Sequence, residues 1–205
     1  MNDNTGVQIS KLFPHIAFGD RSHFQRKKTG KVYTLVRKPV VKHYWYSASE
    51  LEFYEGSTYA GSAEVIGELF QPVTKRPPEY TLLDIDLKKE FQHLSLGSLL
   101  VYIIITEARL NGSNYLYLDY PIYTALGFYL KLGFFPDPIS VMEVEDHELS
   151  ALSGSTVADT RKHYLEEKLK LSRPYKRWKC NIPELTITLG EAIHKKFKLP
   201  PATLT

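Results

Sequence analysis

The sequence has little that would support a cross-linked or metal-centred fold. Cys180 is the one cysteine among 205 residues, which excludes an internal disulfide and a zinc site built from several cysteines. The 7 histidines show no metal-ligand spacing with cysteine or acidic residues, so we predict no metal site. The formal net charge of +3 is too small to indicate nucleic-acid binding by itself.

Long apolar stretches are also lacking. The longest wholly apolar run is far shorter than a membrane-spanning helix requires. The segment from Met1 to Gly6 has neither the basic region nor the apolar region of a secretory signal. From these two absences we expect no membrane partner and a cytoplasmic location.

The composition that is present is that of a globular domain. Hydrophobic residues make up 43% and charged residues 24% of the chain, which is ordinary for a protein with a full core. The 14 tyrosines against 2 tryptophans suggest a groove or interface lined with tyrosine. We predict a core over residues 1–145, irregular over residues 1–30, and a mostly helical extension over residues 146–205 that packs on the same domain.

Residues 32–70 favour β-structure. They combine strand-forming residues with short turns, of which Glu55–Ser57 is the clearest, and Pro39 is expected to interrupt the first strand. This pattern predicts a meander of antiparallel strands. The preceding basic run from Arg21 to Lys31 is predicted to be a solvated loop.

A polar loop of small residues, Phe91–Ser98, lies between two regular elements. It follows a predicted strand, Tyr80–Leu87, and precedes Leu99–Leu110, which has the character of a buried helix ended by Gly112. The first N–H groups of a helix have no intrahelical partner, and the helix dipole places partial positive charge there. The loop is therefore a candidate anion site.

A second strand and a second helix follow. Tyr115–Tyr120 has the pattern of a strand, and a helix over Ile122–Leu132 is expected to begin after Pro121 and to end at Gly133. Strand, helix, strand and helix in this order place the two strands parallel through a right-handed crossover. With the meander, this predicts an α+β fold: a central twisted mixed sheet, mostly antiparallel with one parallel βαβ crossover, and helices on both faces.

The last third of the chain carries weaker patterns. Short strands are expected at Phe134–Phe135 and Ile139–Val144, and helices at Thr160–Leu171 and Ile187–Phe197. The segment Arg173–Lys179 interleaves basic and aromatic residues, a pattern that suits RNA contact as well as a solvated tail.

Two segments together resemble the GCN5-related N-acetyltransferase family. The family's pyrophosphate loop has the pattern Gln/Arg-x-x-Gly-x-Gly/Ala, which Gln92–Gly97 matches with Ser95 in place of the first glycine. The family's later pattern, Ala-x-x-x-Tyr-x-Lys-x-Gly-Phe, matches Ala125–Phe134 throughout. The resemblance covers roughly residues 80–135 and implies an N-acyltransferase that uses acetyl-CoA.

The resemblance also implies where coenzyme A binds. The loop amides would hold the pyrophosphate, with Gln92 as a neutral donor, and the strand ending at Leu87 would pair with the pantetheine amides where it splays away from Tyr115–Tyr120. An alternative use of the basic run from Arg21 to Lys31 is contact with the adenosine 3′-phosphate. The predicted cofactor-binding residues are Ile85, Leu87, Gln92, His93, Leu94, Ser95, Leu96, Gly97, Ser98 and Lys131.

Tyr129 is the residue expected to protonate the departing thiolate. The family's tyrosine at this position acts as the general acid, and a phenol with a pKa near 10 suits that role. The alternative is that Tyr129 is an aromatic side chain that packs one helix face. With the whole pattern present around it, we favour the acid.

The general base is left open. Asp84 and Asp86 share one face of a strand, opposite Leu83, Ile85 and Leu87, while Asp119 lies near the end of the neighbouring strand. Each of the three is a candidate. Glu64 and Glu68 on the preceding strand, or a water chain to solvent, are further alternatives.

We therefore expect acetyl-CoA and an amine acceptor, either a small molecule or a protein, as partners. The amine would attack the thioester directly in a ternary complex. A different possibility is a CoA-binding regulatory or interaction protein with little or no turnover, which the replacement of glycine by Ser95 favours. A nucleic-acid partner is not expected, and a homodimer is possible.

Overall fold

The computed structural model describes residues 21–42, 46–68, 78–119, 121, 125–136 and 177–200. These residues belong to two compact units, which are described separately below. The first comprises the described residues up to Leu116 together with those from Ile182 onward, and the second runs from Tyr117 to Asn181.

The first unit contains a sheet in which all pairings are antiparallel. Its strands lie in the order β5-β4-β3-β2-β1-β9. Tight turns join β1 to β2 and β3 to β4, where Gly30 and Gly56 adopt left-handed backbone angles (φ of 69° and 61°) that favour glycine. The strands are β1 (Arg21–Arg26), β2 (Val32–Lys42), β3 (Tyr46–Glu55), β4 (Thr58–Glu68), β5 (Tyr80–Leu87) and the short β9 (Phe197–Lys198).

Two long helices complete the first unit. Helix α1 (Leu96–Leu110) packs on β4, β5 and helix α3 (Ile182–Lys196). Every residue from Leu99 to Ile105 is buried, as expected of a helix that is apolar all round. Arg37 on β2 donates to the Glu107 carboxylate (Nη2–Oε2 2.5 Å), a half-buried ion pair that ties α1 to the sheet.

The helices α1 and α3 run antiparallel to each other. The backbone N–H of Ile182, at the start of α3, donates to the carbonyl of Asn114 just beyond the end of α1 (2.9 Å). At the opposite ends, the Lys196 ammonium lies 2.8 Å from the Ser95 hydroxyl. The carboxyl end of α3 is therefore fixed beside the amino end of α1.

The second unit contains smaller elements. Helix α2 spans Leu126–Lys131, and strand β7 (Phe135–Pro136) pairs antiparallel with β8 (Arg177–Asn181). Strand β6 (Tyr115–Asp119) ends in this unit. Gly133 follows α2 with a φ of 81°, the left-handed conformation that ends a helix.

The predicted α+β class with a mainly antiparallel sheet is confirmed. Helix α1 begins at Leu96, three residues earlier than expected, and α3 begins at Ile182 rather than Ile187. The described part of the second predicted helix is limited to Leu126–Lys131. The elements predicted at 139–144 and 160–171 lie outside the described residues.

Two predictions about the strands are wrong. The basic run after Arg21 is not a loop from its start, because Arg21–Arg26 forms β1 with Ser22 and Phe24 buried and their neighbours facing solvent. That period of two was hidden by the charged residues. Pro39 does not end its strand either: it lies within β2, where the register to β3 shifts between Pro39 and Val41, and proline is tolerated at such bulges.

Candidate functional site

The candidate anion loop is fixed at both ends. Where β5 ends, the N–H of Lys88 donates to the carbonyl of Ala60 (3.0 Å), which keeps the chain attached to β4. A single 3₁₀ turn, Lys89–Phe91, follows, and its last residue is buried. Helix α1 then begins at Leu96. The loop between them is short, and the structured elements on both sides limit its movement.

The backbone of this loop adopts the conformation that the family pattern assigns to glycine. Ser95 has a φ of 68° and a ψ of 17°, and His93 also has a positive φ, 61°. Left-handed angles cost a residue with a Cβ roughly 1–2 kcal/mol. Ser95 therefore adopts a conformation that favours glycine, at a cost in backbone strain.

The start of α1 presents backbone donors. The first amide with an intrahelical partner is that of Leu99, which bonds the Ser95 carbonyl (3.0 Å). The amides of Leu96, Gly97 and Ser98 precede it and have no intrahelical acceptor. Among the described residues no side chain caps this end of the helix, because the left-handed Ser95 does not donate or accept there. An anion could accept from these amides.

The side chains of the loop contribute less than the sequence predicts. Gln92 was predicted to be a neutral phosphate donor, but its amide Nε2 donates to the carbonyl of Leu87 (3.0 Å) and so joins the loop to the end of β5. His93 is exposed and Leu96 is fully buried. The donors available to an anion in this loop therefore belong mainly to the main chain.

Lys196 lies beside the candidate loop, a position that the sequence analysis did not predict. Its ammonium donates to the Ser95 hydroxyl (2.8 Å), although the two residues lie 101 positions apart. No local pattern around Lys196 indicates this contact, since it depends on the antiparallel packing of α1 and α3. The contact places a cation at the loop that the family pattern leaves neutral when glutamine stands at its first position.

Strand β5 carries two of the predicted acid–base residues on its exposed face. Asp84 lies opposite Glu64 of β4, and Asp86 lies opposite Ser62. Both aspartates are exposed, and Ile85 and Leu87 are half-buried on the other face. Asp84, Asp86 and the predicted cofactor residues from Ile85 to Ser98 thus lie on β5 and on the loop and helix start that follow it.

The predicted alternation along β5 is wrong at Leu83. A register shift between Glu64 and Val65 leaves Leu83 without a partner residue in β4. Leu82 instead is fully buried, while Leu83 is 36% exposed. Such a bulge places an extra residue in one strand and redirects the side chains on either side of it. Strictly alternating apolar positions could not reveal it.

Tyr129, Lys131 and Asp119 lie in the second unit. The Tyr129 ring is buried and makes edge-to-face contacts with Phe128 and Phe134, with ring centroids 5.2 and 5.5 Å apart. These contacts match the packing role considered for this residue and fix the direction of its side chain. Lys131 is exposed.

Asp119 has a cationic partner. The Arg177 guanidinium lies 3.5 Å from its carboxylate and 3.9 Å from the centre of the Tyr117 ring. An arginine held in this way by a carboxylate and an aromatic face is a structural arrangement. It leaves Asp119 a weaker candidate for the general base than the exposed aspartates of β5.

In the described part of the basic and aromatic segment, Arg177 and Trp178 are engaged within the second unit. Trp178 is fully buried, so its ring cannot stack on a base, and Arg177 is held against Tyr117 and Asp119. The remainder of that segment, 173–176, lies outside the described residues.

One titrating group near the loop is perturbed. Burial lowers the pKa of His194 below its usual value of 6.5, and the positive charge of Lys27 acts in the same direction. The His194 ring also contacts Tyr102 of α1 edge-to-face, with centroids 6.2 Å apart. The last turn of α3 therefore lies in a positive potential.

Neither a metal-holding group nor a membrane-spanning helix is found among the described residues. No group of three histidine, cysteine, aspartate or glutamate residues among them is arranged to hold a metal ion. None of the helices described is both long enough and apolar enough to cross a membrane.

Comparison with known proteins gives likenesses of structure without a match of sequence. No family model and no curated protein matches the chain. A mutant of the toxin AtaT, bound to the C-terminus of the antitoxin AtaR and to acetyl-CoA, aligns over 69% of this chain and 72% of its own at 14% identity, with a TM-score of 0.42. Tetrahymena GCN5 aligns over 66% of this chain and 68% of its own at 11% identity, with a TM-score of 0.40.

A third solved structure is the PaiA N-acetyltransferase of Thermoplasma acidophilum in complex with coenzyme A. It aligns over 44% of this chain and 53% of its own at 22% identity, with a TM-score of 0.36. The solved structures similar to this chain thus include acetyltransferases of the family that the sequence resembles. Because these TM-scores lie below 0.5, the chemistry has to be derived from the chain's own residues.

Proposed function

We propose that the protein is an N-acetyltransferase that transfers an acetyl or other small acyl group from acyl-CoA to an amine. The observation that carries this proposal is the backbone of the loop at the start of α1. Ser95 takes a left-handed conformation at the glycine position of the family pattern. The next three amides have no intrahelical partner, and within the part of the chain that the structure describes no side chain caps them. A pyrophosphate group needs such an array of donors.

The proposed cofactor lies along β5 and across the loop. The amides of Leu96, Gly97 and Ser98 donate to the pyrophosphate oxygens, where the dipole of α1 adds favourable potential. The pantetheine arm extends from the loop along β5, past Leu87 and Ile85 towards the bulge at Leu83.

The proposed reaction is a direct attack. The neutral amine attacks the thioester carbonyl, the new C–N bond forms, and the C–S bond breaks when the tetrahedral intermediate collapses. The leaving thiolate takes a proton from the Tyr129 hydroxyl. The assignment of Tyr129 is supported by the complete match of the family pattern around it, and its ring contacts with Phe128 and Phe134 would hold the hydroxyl in one direction.

The amine must lose a proton before or during the attack. Asp84 and Asp86 are the preferred candidates because both are exposed and share one face of β5. An exposed carboxylate can pass the proton directly to water. Glu64, which lies opposite Asp84, is in a position to assist. The identity of the amine, whether a small molecule or a protein, is not set by these residues.

The test is a pair of measurements on the purified protein. Acetyl-CoA at about 100 times its Kd should stabilise the folded state by about 2.7 kcal/mol, which raises the Tm of a chain of this size by roughly 5–10 °C. Mass spectrometry of amines incubated with acetyl-CoA and the protein should then detect acetylated product. A Tm that does not move at millimolar acetyl-CoA would contradict the proposal.

Binding without transfer to any class of amine would support the alternative, a CoA-binding regulatory protein. In that case Tyr129→Phe should change neither binding nor any biological output of the protein.

A further inference from the structure

We infer that Lys196 supplies the positive charge that the loop itself lacks and binds the pyrophosphate of the cofactor. The inference rests on the proposed function and identifies a binding residue outside the family pattern. It is drawn from the position of one ammonium group, from the way its backbone is held, and from the neutrality of the loop.

The loop Gln92–Ser98 carries no full positive charge of its own. A pyrophosphate diester carries two negative charges, whereas Gln92–Ser98 contains no lysine or arginine. The position at which the family pattern allows arginine holds Gln92, and its side chain is engaged with the Leu87 carbonyl (3.0 Å). Backbone amides and a helix dipole supply only partial charges. A full positive charge beside the pyrophosphate would therefore have to come from another part of the fold.

The Lys196 ammonium lies beside this loop. The Lys196 ammonium donates to the Ser95 hydroxyl at 2.8 Å, so it lies one hydrogen bond from the residue that precedes the uncapped amides. The lysine is exposed, and a hydroxyl is a weaker partner for an ammonium than a phosphate oxygen. A phosphate bound to those amides would be within reach of this ammonium, which could exchange the hydroxyl for it.

The backbone around Lys196 is anchored to neighbouring elements. The carbonyl of Lys196 accepts from the backbone N–H of Lys27 (2.8 Å), and the next residue, Phe197, is buried and pairs with Arg26 of β1. The Lys27 ammonium donates to the carbonyl of His194 (2.5 Å). The backbone of Lys196 is thus held by the turn after β1, and its flexible side chain alone has to adjust.

The same contacts concentrate positive charge at this end of the helices. The backbones of Lys27 and Lys196 are hydrogen-bonded there, and the lowered pKa of His194 is partly due to Lys27. Positive charge at this end of the helices favours an anion bound there. The turn after β1, predicted from the sequence as a solvated basic loop, acts in this account as a positioning element for the phosphate ligand.

The experiment is calorimetric titration of the full-length protein with CoA and with dephospho-CoA, which keeps the pyrophosphate but lacks the 3′-phosphate. Lys196→Ala should weaken both ligands by the same factor, about 10-fold to 100-fold at low salt, as expected for loss of a hydrogen bond between charged groups. Lys196→Arg should retain most of the affinity. Lys195→Ala, an exposed lysine in the same turn, is the matched control and should bind like the wild type.

Each other outcome is decisive. A Lys196→Ala protein that binds both ligands as tightly as the wild type overturns the inference and leaves the proposed function intact. A loss confined to CoA assigns the ammonium to the 3′-phosphate and overturns its assignment to the pyrophosphate. Wild-type protein that binds neither ligand refutes the proposed function and the inference together. An unchanged Tm of Lys196→Ala without ligand excludes misfolding as the cause of any loss.

Discussion

The loop Gln92–Ser98 and the segment Ala125–Phe134 carry the two family patterns, yet they work through different parts of the chain. The loop presents its main chain: Ser95 stands at the first glycine position of the pattern and has a left-handed φ of 68°. The segment after Leu126 presents a side chain, because Tyr129 is held between two aromatic rings. A site built from amides tolerates substitutions that keep φ, whereas a site built from a hydroxyl does not.

Gly133 in the second pattern can be compared with Ser95 in the first. Its φ of 81° is left-handed like that of Ser95. Apart from Gly133 itself and its two chain neighbours, no described residue has an atom within 4 Å of the position where a Cβ would stand. The glycine is therefore required by the turn of the chain and not by a shortage of space. Each pattern thus contains one left-handed residue at a helix end. Ser95 precedes the first amides of α1, whereas Gly133 follows the helix that carries Tyr129.

The largest effect is expected for Tyr129→Phe. If the hydroxyl is the general acid, kcat should fall by about 10²-fold to 10⁴-fold, the usual contribution of a positioned acid. The ring contacts remain, so the Tm and the Kd for CoA should stay near the wild-type values. Steady-state kinetics with calorimetry separates the two, and a kcat within twofold of the wild type would show that the proton comes from another group.

A charge placed in the loop should have the next largest effect. Ser95→Asp puts a carboxylate beside the phosphate, and like charges about 4 Å apart near a protein surface repel by about 4 kcal/mol before screening. The Kd for CoA should rise by about 30-fold or more. Ser95→Asn introduces a side chain nearly isosteric with aspartate but neutral. Asparagine tolerates the left-handed region, so this variant should bind CoA almost normally.

If Ser95→Asp and Ser95→Asn bind CoA equally well, no phosphate lies beside residue 95, and the contrast between the two patterns loses its basis.

Backbone strain at the same position predicts a smaller effect. Ser95→Gly relieves the left-handed conformation but adds freedom to the unfolded chain, whereas Ser95→Ala keeps the strain. Both remove the hydroxyl that Lys196 contacts. Urea denaturation should show the glycine variant to be more stable than the alanine variant by about 1 kcal/mol. An alanine variant that is equally stable would mean that Ser95 is unstrained.

The smallest effect is a dependence of stability on pH. Because the folded-state pKa of His194 lies below the unfolded value of 6.5, the unfolded chain binds the proton more readily. The contribution of His194 is complete above about pH 6.5 and is lost as the pH falls below it. The unfolding free energy of the wild type should therefore decline between pH 7 and pH 5.5 more than that of His194→Gln. Parallel curves for the two proteins would contradict this.

The sequence predicted those parts of the site that depend on neighbours in the chain. The strand–loop–helix order, the glycine at the end of α2 and the acidic face of β5 all follow from periodicity and turn residues. These features are local, and local patterns were sufficient for them. The left-handed conformation at Ser95 was not predicted, since serine by itself does not indicate a positive φ.

The parts that were missed depend on contacts across the fold. The contact of Lys196 with Ser95 joins residues 101 positions apart and requires the antiparallel packing of α1 and α3. The bulge at Leu83 arises from its pairing with β4, and β1 was hidden because charged residues occupy its solvent face. Propensity and charge describe single residues, so they do not reveal which distant partner a strand or a lysine will meet.

The central claim is that the main chain at the start of α1 holds the cofactor's pyrophosphate, and amide NMR shifts during a titration test it most directly. On addition of CoA, the ¹⁵N-labelled amides of Leu96, Gly97 and Ser98 should show large shifts, and pantetheine, which lacks the pyrophosphate, should leave them unmoved. If CoA binds at saturation while these three amides do not shift, the pyrophosphate lies elsewhere and the account is wrong.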